Sequence, residues 1–107
     1  MSSSLSFESA SVKPWALVGL HAAARFTVTA DASPGLLPRL LMPFAKRDLV
    51  PDGLEFHRTG DSVRADIHMA AMPAEMVHLV EGNLRLGVGV TRVACVQEIT
   101  GQVRRAA

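Results

Sequence analysis

The sequence predicts an α+β sandwich, in which an antiparallel four-stranded sheet carries two helices on one face. Two observations carry this expectation. Segments of two-residue and helical periodicity follow one another in the order strand, helix, strand, strand, helix, strand. The two middle strands flank Gly60-Asp61, a two-residue turn that sets Leu54 opposite Ile67 and Phe56 opposite Ala65, apolar against apolar.

Each element has its own signal. Arg25 to Asp31 alternates, with Phe26, Val28 and Ala30 on one face and Arg25, Thr27, Thr29 and Asp31 on the other, the pattern of a half-buried strand. In the first helix, Leu37, Leu40, Leu41 and Phe44 recur at i, i+3, i+4, i+7, and the helix is expected to run to about Arg47. Ser33 is read as its N-cap and Pro34 as its first residue. Pro43 is expected to bend it and, with Pro38 and Met42, to lie off the buried stripe.

Asp48 to Gly53 forms a turn, and the hairpin Leu54–Arg58 and Val63–Met69 follows. Met72-Pro73 opens a second helix with the stripe Val77, Val80 and Leu84, closed by Gly87-Val88-Gly89. Val90 to Ile99 is apolar on consecutive residues, as in a strand covered on both sides or meeting a partner. Two right-handed crossovers around a hairpin make this the ferredoxin-like βαββαβ topology.

The 107 residues suffice for one domain, placed at 15–107 with a core at about 24–99; the serine-rich residues 1–14 read as a disordered tail. A net charge of +1 leaves no basic excess for nucleic acid. Trp15 to Ala24 is far shorter than the ~20 residues of a membrane span, and the start lacks the basic residues of a secretory signal. With one cysteine, Cys95, no internal disulfide can form, and a cytoplasmic protein is expected.

The stretch Asp31-Ala-Ser-Pro-Gly-Leu36 is the candidate site. A helix start carries free N–H groups and a partial positive charge that attract a carboxylate. Gly35 removes a side chain where a ligand or second backbone approaches, and Asp31 answers an ammonium group. Together these suit a small zwitterion.

The run from this strand end through Ser33-Pro34-Gly35, Leu37, Arg39, Leu40 and then Phe44-Ala45-Lys46-Arg47, with a hairpin, a helix and Val90-x-Arg92-Val93 behind it, resembles the ACT domain. More narrowly, it is similar to the small regulatory subunit of acetohydroxyacid synthase. The resemblance spans roughly residues 24–99. It implies a non-catalytic, allosteric module of branched-chain amino acid biosynthesis, working as a homodimer beside a catalytic subunit. It also implies a small amino-acid effector held between the helix entrance of one chain and the partner's second-strand region. By position the effector residues are Asp31, Ala32, Ser33, Pro34, Gly35, Leu36, Val50 and Pro51. This chain departs from the pattern at Asp48, where the family has a closing glycine, and at Ala32 and Val50, which often carry amides. A ligand-free assembly module of the same fold is the alternative.

Other chemistry is weaker. His57 and His68 fall ~13 Å apart in the proposed register, too far for one metal ion, and neither a metal nor any other cofactor is expected. Glu55 and Asp66 face one another on an open sheet face without a cleft, so no catalysis is assigned to them. Met42, Leu79 and Leu86 lie off the core stripes and the hairpin leaves a free edge, which also points to a dimer.

Overall fold

The computed structural model describes residues 5–7 and 18–102. Its elements are β1 (Leu5–Phe7), β2 (Leu20–Asp31), α1 (Leu36–Ala45), β3 (Gly53–Thr59), β4 (Ser62–Pro73), α2 (Ala74–Arg85) and β5 (Val90–Gln102). The sheet runs β1-β5-β2-β4-β3 with every neighbouring pair antiparallel. Without β1, this is the expected four-stranded ferredoxin-like sheet with two helices.

Alternation along β2 and β4 sorts the side chains. Ala22, Ala24, Phe26, Val28 and Ala30 on β2 and Val63, Ala65, Ile67 and Met69 on β4 are buried in one core. The helices close it with Leu36, Leu40 and Phe44 from α1 and Val77, Val80 and Leu84 from α2, the last three as predicted. Phe44 meets Phe26 edge to face, ring centroids 5.4 Å apart, and this contact anchors α1 to the sheet. The hairpin register is also the expected one: Leu54 opposes Ile67, Phe56 opposes Ala65, and Gly60 takes the positive φ (60°) that its tight turn requires.

Four expectations change. The segment read as a disordered tail contributes β1, which pairs Leu5, Ser6 and Phe7 with Ile99, Glu98 and Gln97 on the outer edge of β5. An edge strand offers unpaired N–H and C=O groups, and three residues suffice to take some of them up. The rest of that tail lies outside the described residues. Helix α1 begins at Leu36 with Gly35 as N-cap, because Ser33-Pro34-Gly35 is spent on a turn in which Leu36 N–H donates to Ser33 O (3.1 Å).

The buried stripe of α1 is accordingly Leu36, Leu40, Pro43 and Phe44, so Pro43 faces inward while Met42 and Pro38 face out. Leu37 and Leu41 are only half-buried. Finally, β5 has one core face, carrying Val93, Cys95, Gln97 and Ile99; on its other face Ala94 and Val96 are exposed.

The end of α1 is a Schellman closure. Asp48 N–H bonds Ala45 O at 3.1 Å and Leu49 N–H bonds Phe44 O at 2.9 Å, with Asp48 in the left-handed region at φ 57°. The glycine-like geometry is thus retained at the position where the resembled pattern has glycine. Among the described residues no helix is long and apolar enough to cross a membrane.

Candidate functional site

The junction between β2 and α1 is clamped from both sides. Asp31 N–H donates to Gly89 O and Ala32 N–H to Asp61 O, both at 2.8 Å, which ties the β2 end to the turn before β5 and to the hairpin tip. On this frame Asp31, Ser33 and Pro34 are exposed, Ala32 and Gly35 half-buried. Leu36, by contrast, is 1% exposed in the core, so only its backbone can meet a ligand.

The helix entrance is not bare. The Arg39 side chain folds back along the first turn, its Nη2 donating to Ser33 Oγ at 2.8 Å. A β-carbon at Gly35 would stand 2.7 Å from Arg39 Nη1. Arg39 N–H bonds Gly35 O at 3.3 Å, Pro38 has no N–H, and Leu36 N–H turns back to Ser33 O. A guanidinium therefore sits beside the positive end of the helix, an arrangement repulsive by itself and favourable once an anion lies between. Exposed Asp31 provides the opposite charge nearby in the chain. By its spacing Arg39 reads as a helix residue only, and nothing in that spacing shows that it curls over Gly35.

Val50 and Pro51 do not join this group within one chain. They precede Gly53, which pairs with His68, whereas Asp31 pairs with Ser62. The six positions from Ser62 to His68 place the two groups about 20 Å apart along the sheet. Leu54 and Phe56, on the helix side of the outer strand β3, remain 41% and 38% exposed.

On the opposite sheet face, Glu55 opposes Asp66 as predicted, and Asp66 accepts from Thr27 Oγ1 at 2.8 Å and pairs with Arg64 at 3.3 Å. Contrary to expectation, this face is not without a cleft: both carboxylates line a hollow of about 420 Å³ with Arg25, Arg64 and His68. Among the described residues no three His, Cys, Asp or Glu side chains converge as a metal site. Cys95 lies beneath α2, and burial, helped by the Glu81 carboxylate and opposed by Arg85, pushes its thiol up to about 12. A thiol so raised stays protonated near neutral pH, and Cys95 packs against the core.

Compared with known proteins, residues 19–101 match a family described as an ACT-like domain. No curated protein and no solved structure matches the chain.

Proposed function

From the premise that this chain belongs to the ACT-like domain family, we propose that it is a regulatory module which binds a small amino-acid effector between two copies of itself. Domains of this family are generally regulatory and non-catalytic. The observation that carries the reading is the pairing of Arg39 with the α1 start, where a carboxylate meets both a guanidinium and a helix terminus while Asp31 stands by for an ammonium.

A two-fold partner completes the site. Antiparallel contact of β3 with its mate would cover Leu54 and Phe56 and invert one sheet relative to the other. The partner's copies of Val50 and Pro51 then approach the end that carries Asp31 to Gly35, which one chain alone cannot achieve.

The finer assignment is the small subunit of an acetohydroxyacid synthase, or a stand-alone relative, in the cytoplasm. It is supported by Gly35, Leu37, Arg39 and Leu40, then Phe44, Ala45 and Arg47. Ala32 and Val50 bring no polar group, and each missing charge-assisted bond is worth roughly 1.5–3 kcal/mol. Valine-like effectors should accordingly bind weakly, and a bulkier or chemically different amino acid better.

One observation favours a second reading, a ligand-free assembly module: Arg39 already occupies the entrance through Ser33. A thermal-shift screen of the full chain against the twenty amino acids separates the two. The effector reading expects at least one to raise the midpoint in a concentration-dependent way; no shift with any of them favours assembly alone.

A further inference from the structure

Between the C-terminal end of α2 and the outer side of α1 lies a groove of about 480 Å³. Met42, Pro43, Leu86 and Val88 contribute its apolar surface, with Leu86 83% and Val88 75% exposed. Arg39 and Lys46 stand at its sides, and none of its lining residues is acidic. The groove is held open from below: Arg47 Nη1 donates to Pro43 O of α1 at 2.9 Å and to Asn83 Oδ1 of α2 at 3.3 Å. Apolar side chains this exposed beside two cations form a surface suited to a partner of matching shape and opposite charge.

We propose that this groove docks an acidic amphipathic helix presented by a partner protein. The trough between two packed helices receives a third helix through anchors at i, i+3/i+4 and i+7, and Met42 supplies an adaptable wall. Charge selects the partner: acidic residues flanking the anchors meet Arg39 and Lys46. It also disfavours a second copy, since two-fold contact of the groove with itself sets those cations against their own mates.

The test titrates the full chain into a labelled, about 15-residue helical peptide with leucine at the anchor spacing and glutamate elsewhere, and into its lysine counterpart. The glutamate peptide should bind at least about tenfold tighter than the lysine peptide, with the gap closing in high salt. Met42→Glu and Leu86→Glu, both at exposed positions and checked for unchanged thermal midpoints, should each weaken it by at least about tenfold. Equal affinity for the two peptides, or binding indifferent to both substitutions, overturns the proposal. A fall in solution mass in Leu86→Glu would assign the groove to a second copy and overturn it too. Peptide binding that persists in a monomeric Phe56→Asp chain would leave docking intact whatever becomes of the effector site.

Discussion

The guanidinium of Arg39 lies over Gly35, its Nη1 2.7 Å from where a β-carbon of residue 35 would be, while its Nη2 holds the Ser33 hydroxyl at 2.8 Å. Glycine here makes room for a cation rather than for a turn, since the Gly35 φ of −101° is open to any residue.

Gly35→Asp should therefore leave the fold intact and remove effector binding. Aspartate is a strong N-cap with the charge that suits a helix start, and the atom it meets is the mobile tip of Arg39. Its carboxylate would take the place proposed for the effector's. The thermal midpoint should hold or rise slightly while the ligand-induced shift disappears; a midpoint lowered by several degrees would show that the entrance cannot take a side chain.

Asp48→Gly should stabilise the chain by roughly 0.5–1 kcal/mol, because a left-handed backbone costs a residue with a β-carbon and costs glycine little. Urea unfolding reads this directly. A loss of stability would mean that the Asp48 carboxylate contributes more than its backbone costs.

Gln97 is 1% exposed on the core face of β5, and among the described residues neither its Oε1 nor its Nε2 has a hydrogen-bond partner. Replacing an unsatisfied buried amide with an apolar group of similar shape recovers a desolvation penalty of roughly 1–3 kcal/mol. Gln97→Met is expected to raise stability by about 1 kcal/mol or more. If denaturant unfolding shows the variant weaker, the amide is satisfied in solution.

These features differ in how well the sequence announces them. The β3–β4 register is readable because the Gly60-Asp61 turn and the alternation of apolar residues each demand the same pairing. The α1 stripe is not uniquely readable: the doublets Leu36-Leu37 and Leu40-Leu41 permit two stripes one residue apart, and packing in the folded core selects the one with Leu36 and Pro43. Gln97 hides in a strand whose consecutive apolar residues conceal which face is inside. Likewise β1 is three residues among serines and has no strand signal apart from the edge it covers. Arg39 is the gap that matters most for the site, because a long side chain's direction is decided by what lies within its reach.

Cys95 should resist alkylation in the native chain near pH 8 and react on unfolding. Its folded-state thiol is raised from 9.0 to about 12, chiefly by burial. Between those values the unfolded chain loses a proton that the native chain keeps, so the thiol's contribution to stability falls as pH climbs from about 9 towards 12. Cys95→Ala should flatten that decline. Unfolding midpoints across this range check the sign, and an unchanged slope in the variant would assign the decline to other groups.

The central claim is a shared effector site, and titration calorimetry of the full chain beside its Phe56→Asp variant tests it most directly. Phe56 is 38% exposed on the outer strand β3, so a charge there should separate two joined sheets without unfolding either, as circular dichroism can verify. The account predicts that an amino acid saturates the wild-type dimer at one site per chain, and that Phe56→Asp sediments as a folded monomer with no measurable binding. Unchanged affinity in a folded Phe56→Asp monomer, or a wild-type chain that is monomeric and binds no amino acid, would contradict it.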